Sequence, residues 1–235
     1  MSEWRVHLQG EQFDLQELKE ILICHDPYII EEDSNFYLTS RAWDKLREPR
    51  EVDGQAKAFI QLLENAAYLH LRDTAPLTIG SVVRIDDDGR RHHILIAEPG
   101  IYTIRGGRVR LTATVGGPEP IEGPKHQLIK VLRESAKNPL VVEALRFFHK
   151  GDWVSLYKVY EIVNDEVYGK GEIIRRGWLT SQSISRFKQM AQSREALGDD
   201  ARHASRKFIP PKKPMSIHEA RAIIGDLFLK WIDSL

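Results

Sequence analysis

Arg202 and His203 stand side by side in GDDARHASRKFIPPKKPMSIHEARAIIGDLFLKW, residues 198–231. An imidazole titrates near neutral pH, so His203 suits a general acid or base, and a neighbouring guanidinium grips a phosphate with two prongs. Carried on a polar, proline-containing loop against a helix, the pair fits a phosphate- or RNA-handling site. In that site Arg202 would hold the scissile phosphate and stabilise the charge developing on it. The same two side chains fit a structural clamp, bonded to helix ends or paired with Asp199 and Asp200. Glu161, one residue past the apolar stripe of an earlier helix, is spaced to reach Arg202 and orient it in either case.

A second set of residues widens the site. Residues 170–213 carry 11 Lys and Arg against 4 Asp and Glu, a density that suits contacts to a nucleic-acid backbone. Arg175, Arg176, Arg206, Lys207, Lys212 and Lys213 are the candidate phosphate contacts, with Lys207 or Lys213 flanking the reacting phosphate. Lys170, Arg186 and Lys188 belong to the same basic stretch. Trp153, Tyr157 and Tyr160 could stack bases. Their helical spacing with Leu156 and Val163 reads as core instead.

Net charge is zero, yet it is segregated: residues 1–120 hold 14 basic and 20 acidic side chains, and residues 121–235 hold 20 and 14. Such asymmetry steers an anionic partner to one half or lets the halves attract each other.

Other chemistries find little support. His92 and His93 are neighbours on a strand and point to opposite faces, so they cannot share one metal. Asp86-Asp87-Asp88-Gly89 lacks the downstream Glu of a calcium loop and reads as a hairpin turn. Glycine-rich phosphate loops and serine elbows are absent, so neither cofactor nor metal is expected. The single cysteine, Cys24, precludes an internal disulfide framework and is expected to be a buried thiol. With no run of 18 apolar residues and no signal-like N-terminus, a cytoplasmic protein without a membrane span is expected.

The elements that must position these residues fall into two halves. Gly116-Gly117-Pro118-Glu119-Pro120 and Gly123-Pro124 form a breaker cluster, which predicts an acidic domain over 1–117 and a basic helical domain over 124–235. In the first, Trp4–Leu8 alternates as a strand, and Asp14 is expected to cap a helix to about Leu22. YIIEE and NFYL form a hairpin about Asp33-Ser34. Residues 41–48 and 52–72 are helical, with Ala56, Phe59, Ile60, Leu63, Ala67 and Leu71 on one buried face. LTIGSVVRID, RHHILIAE, IYTIRG and RVRLTATV then run as an antiparallel meander.

In the second half, five helices are expected. They cover 125–136, 139–149 (opened by Asn138-Pro139), 153–167 (capped by Asp152), about 181–191 (from Thr180 or Ser181), and a last helix from Ser216. That last helix opens with a Ser216/Glu219 capping box, and a loop over 192–214 precedes it. The class is therefore α+β: an antiparallel sheet with helices, then an all-α bundle.

Arg and His before a final Pro-Met-Ser-x-x-Glu-Ala helix, with the earlier Trp-x-x-Leu-Tyr-x-x-x-Glu helix, resemble the HEPN superfamily of helical domains. The C-terminal half is similar as well to domains of uncharacterised bacterial proteins. The family's usual motif separates Arg from His, whereas here they adjoin. The HEPN resemblance implies a bacterial RNA-associated or defence-type protein with metal-independent RNase activity and a homodimer; in such a site His203 and Arg202 would be catalytic, with Glu161 orienting the arginine. The residues alone leave a second reading open: a non-enzymatic interaction module with a structural Arg-His pair, in which the acidic sheet domain and the basic bundle dock onto protein partners or onto each other.

Overall fold

The computed structural model describes residues 3–71, 76–96, 124–205 and 207–235. The strands expected over 101–115, the breaker cluster, the Leu71 side chain and Arg206 lie outside them. The chain forms two compact units, Met1–Ile129 and Lys130–Leu235.

The first unit runs β1 (Glu3–Gln9), α1 (Gln12–Ile21), β2 (Tyr28–Glu32), β3 (Asn35–Thr39), a 3-10 turn over Arg41–Lys45, α2 (Pro49–Leu71), β4 (Thr78–Ile85) and β5 (Arg91–Ile94). The strands form one antiparallel sheet in the order β2-β3-β1-β4-β5. Asp33 and Ser34 both take positive φ, 49° and 63°, the two-residue turn whose twist matches that of its strands. At the β4–β5 turn Gly89 takes φ 82° and its N–H donates to the Asp86 carbonyl at 2.8 Å.

Along β1, Trp4, Val6 and Leu8 alternate into the core, with Val6 opposite Leu38 on β3 and Val82 on β4. From α2 come Val52, Ala56, Phe59, Ile60, Leu63 and Ala67, all buried. β2 and β5 are the opposite edges of the sheet. Even so, the Glu32 carboxylate receives Arg5 Nη1 at 2.6 Å and Arg91 Nη2 at 2.5 Å. Four strand spacings would separate flat edges by roughly 19 Å, beyond the combined reach of two side chains, so the sheet curls until one carboxylate joins its ends.

Three expectations for this unit need correction. The helix expected over 41–48 is a 3-10 turn that stops at Lys45, with Leu46 extended. α1 is capped by Glu11 in extended conformation, whose carbonyl accepts the Leu15 N–H at 3.0 Å. Asp14 lies inside the first turn, where its charge meets the positive end of the helix. Cys24 is exposed. The helix ends at Ile21 and Leu22 fills the last buried slot, which leaves Ile23 and Cys24 on the outward turn.

The second unit contains most of α3 (Pro124–Lys137), then α4 (Pro139–Lys150), α5 (Trp153–Glu166), α6 (Lys170–Arg175), α7 (Ser181–Gln192), α8 (Arg194–Leu197), a 3-10 turn over Gly198–Asp200, and α9 (Ile217–Ser234). Side-chain caps set the starts. Asn138 Oδ1 accepts the Leu140 N–H at 3.0 Å, and Asp152 Oδ1 accepts the Ser155 N–H at 2.8 Å. Thr180 Oγ1 accepts the Ser183 N–H at 3.0 Å.

α4 ends at Gly151, whose φ of 65° suits glycine and whose carbonyl accepts Arg221 Nε at 3.0 Å. α5 packs against α4, α7 and α9, and the core holds Leu145, Leu156, Val163, Phe187, Leu227, Phe228 and Trp231.

The bundle has more helices than the five expected, because α6 and α8, at six and four residues, are too short to show a helical period. α8 and the 3-10 turn both fall in the stretch expected to be loop. Only half of the capping box is used as expected. Ser216 Oγ accepts the Glu219 N–H at 3.1 Å, while the Glu219 carboxylate binds the Arg186 guanidinium. Among the described residues no helix is long and apolar enough to cross a membrane.

Candidate functional site

Arg202 follows the 3-10 turn and is held three ways. Its backbone N–H donates to the Ala191 carbonyl at 2.9 Å, satisfying one of the carbonyls that α7 leaves open at its end. Its Nη2 donates to Glu161 Oε1 on α5 at 2.7 Å. Its Cζ lies 4.1 Å from the ring centroid of Tyr157, one helical turn earlier on α5. That ring cannot drift: Tyr157 is buried, it stacks on Phe187 at 5.9 Å, and its hydroxyl accepts Gln192 Nε2 at 2.9 Å. The guanidinium therefore has a carboxylate at its edge and a fixed π-face beneath it, an arrangement in which both interactions favour the same rotamer.

His203 has a different neighbour, stacking on Phe208 with ring centroids 5.2 Å apart and planes 22° from parallel. Beyond Phe208 the chain turns outward. Ile209 is 77% exposed, Pro211 is buried, and Lys212 and Lys213 are exposed. The far end is held by Arg186, whose Nε and Nη2 donate to the carbonyls of Lys213 and Pro214 at 2.8 and 2.7 Å, and by the buried Met215. The loop is braced at both ends, with one large aliphatic side chain projecting between. Asp199, offered as an alternative partner for the pair, lies instead 3.3 Å from Arg194 Nη2, and Arg194 Nη1 also donates to the Ala204 carbonyl at 3.2 Å.

The basic candidates divide into two groups. Arg175 and Arg176 converge on Glu172, with Nε–O distances of 2.7 Å each, and Arg176 also lies 4.9 Å over Trp178. Those bonds, from Arg175 first and Arg176 next, hold the Glu172 carboxyl down at about 2. Lys207, Lys212 and Lys213 ride on the braced loop, with Lys207 Nζ 5.2 Å from the Phe208 ring centroid.

The aromatic residues weighed as base-stackers are core: Trp153, Tyr157 and Tyr160 are each under a tenth exposed and surround Phe187. Burial, and after it the negative charges that Tyr157, Asp165 and Glu161 carry when ionised, push the Tyr160 hydroxyl up to about 12.

In the sheet, His92 Nε2 lies 2.7 Å from Asp86 Oδ2, whereas His93 Nδ1 lies 3.4 Å from Ser81 Oγ. Among the described residues no group of three or more His, Cys, Asp or Glu is arranged to hold a metal.

Three features of the site were missed from the sequence. Tyr157 lies under Arg202, Phe208 lies against His203, and a pocket of about 330 Å³ opens between α4 and α5 beside Glu161. The first had a usable signal, since Tyr157 and Glu161 are four apart on one helix and an arginine that reaches one meets both. The other two depend on how the loop and the helices pack. Compared with known proteins, the chain matches no family model, no curated protein and no solved structure.

Proposed function

We propose that this protein is a non-enzymatic interaction module in which Arg202 and His203 brace the 207–213 loop for presentation to a partner. The observation that carries this reading is the commitment of Arg202: its charge is matched by Glu161 at 2.7 Å and its plane is stacked on Tyr157. An arginine that gripped a phosphate would have to give up that carboxylate, or bring the phosphate beside it. Both alternatives cost electrostatic energy that a free arginine would not lose. His203 supports the reading through its flat contact with Phe208, the residue preceding the exposed Ile209.

Two substitutions and one substrate test this. Arg202→Ala removes a part-buried ion pair and a cation–π contact and should lower stability by about 1–2 kcal/mol. His203→Ala should lower the thermal midpoint by less. The wild-type chain should leave RNA intact and should bind neither RNA nor DNA at about 50 mM salt, where phosphate contacts are strongest. The ribonuclease that the HEPN resemblance implies requires the opposite: RNA cleavage that His203→Ala abolishes at an unchanged midpoint. That result would end the bracing role.

A further inference from the structure

The braced loop and the pocket between α4 and α5 are complementary in both shape and charge. The pocket is lined by the half-exposed side chains of Leu140, Phe147 and Ile162. Around them stand four carboxylates, Glu143, Glu161, Asp165 and Glu166, beside the ammonium of Lys158, and Glu143 is paired with Arg146 at 4.0 Å. Glu161 already serves Arg202, and Asp165 and Glu166 are exposed. The aromatic lining attracts cations, since Lys158 Nζ lies 4.6 Å and Arg146 Cζ 5.4 Å from the Phe147 centroid.

The loop offers the inverse surface. Ile209 projects 77% exposed, followed by Pro210-Pro211 and then the exposed Lys212 and Lys213. Two consecutive prolines limit the conformations of this segment, and its two ends are fixed by His203 and Arg186, so little entropy is lost on docking. Ile209 stays exposed while the pocket of the same chain stays open. The loop therefore does not fill its own pocket.

We infer that the occupant of this pocket is the 207–213 loop of a second copy of the chain, Ile209 against the apolar lining and Lys212 and Lys213 against Asp165 and Glu166. Reciprocal exchange closes a two-fold dimer, each copy supplying one loop and one pocket. A single aliphatic anchor with a few charge pairs makes a small contact, so the association is weak and concentration-dependent. Its charge pairs sit at an exposed rim, so salt weakens it. This inference rests on the loop-presenting reading of Arg202 and His203 and names the partner that reading leaves open.

The test is light scattering or sedimentation of the full chain from about 10 µM to 1 mM at low salt, where the measured mass should climb from 27.0 kDa towards twice that value. Ile209→Asp should weaken dimerisation roughly 10-fold or more. A chain with Lys212→Glu and Lys213→Glu carries an acidic loop, and a chain with Asp165→Lys and Glu166→Lys carries a basic pocket. Each should be monomeric alone, with its thermal midpoint near that of wild type. Mixed together they should associate, because both loop–pocket contacts then pair opposite charges.

A mass of 27.0 kDa at every concentration, or a mixture that does not associate, overturns the dimer. In that event an absence of RNA cleavage leaves the bracing role standing with a different partner. Cleavage that depends on His203 removes the bracing role itself.

Discussion

The sheet unit and the bundle unit both place a guanidinium–carboxylate cluster where distant parts of the chain meet, but they back it differently. In the sheet, Glu32 joins Arg5 and Arg91, residues 27 and 59 positions away, and the cluster stands at the rim of a curled sheet. In the bundle, Arg202 and Glu161 are 41 positions apart and lie on a floor of aromatic rings: Tyr157 stacked on Phe187, with Trp153 and Tyr160 around it. A rim cluster holds two edges together and is open to salt. A cluster over aromatic rings fixes the direction of the chain that follows it, here the loop bearing Ile209. The backing of an ion pair, more than its length, decides its consequence for the fold.

The largest expected break in this comparison is Phe187→Ala. It removes the ring that supports three aromatic neighbours and should cost about 3–5 kcal/mol. Hydrogen exchange should show lost protection across residues 130–235, with the amides of β1 to β5 still protected. Equal loss in the sheet would mean that the two units unfold together and that the contrast is false.

Alkaline pH should give the next largest effect, in the bundle. The Tyr160 hydroxyl is raised from 10.0 to about 12, so the folded state keeps a proton that the unfolded state gives up first. Its contribution is complete below pH 10 and is lost as pH rises towards 12, on the order of 2–3 kcal/mol. Tyr160→Phe should flatten that decline in the thermal midpoint. An equally steep decline in the variant would place the alkaline sensitivity elsewhere.

The smallest effect belongs to the sheet at acid pH. The Arg91 hydrogen bond, and after it the Arg5 charge and bond, hold the Glu32 carboxyl below its ordinary 4.5. Its stabilisation is therefore present above that value and is lost as pH falls through the lowered one. Glu32→Gln should shrink the acid-induced drop in the midpoint, and about 1 M salt should shrink it in wild type. If salt leaves the drop unchanged, the rim cluster is less open than its position implies.

Much of the scaffold was legible in the sequence because its signals are local. Asn138-Pro139, Asp152, Thr180 and Ser216 each set a helix start through bonds spanning three residues or fewer. Asp33-Ser34 set a two-residue turn by its own backbone preference. Asp14 misled because acidic residues are favoured in the first turn of a helix as well as at its cap, through the helix dipole. Cys24 misled because an apolar run predicts burial only while the helix continues, and this one stops at Ile21. The link from Glu161 to Arg202 was legible from charge and spacing. Its meaning was not, since an arginine that grips a phosphate and one that braces a loop look alike until the ring beneath is seen.

By itself the sequence determined the α+β class, the side-chain caps at Asn138, Asp152, Thr180 and Ser216, the turn at Asp33-Ser34, the alternation of Trp4, Val6 and Leu8, and the apolar stripes that bury α2, α5 and α9. Periodicity and capping act over one or two turns, so nothing beyond the local chain is needed to read them. Only the tertiary structure decided that the sheet curls until Glu32 spans its edges, and that Arg186 takes the Glu219 carboxylate from the capping box. Only it placed Arg202 on Tyr157 and His203 on Phe208, leaving Ile209 outside. Each of these depends on which of several competing partners reaches a polar or aromatic group first, and packing across the core settles that competition.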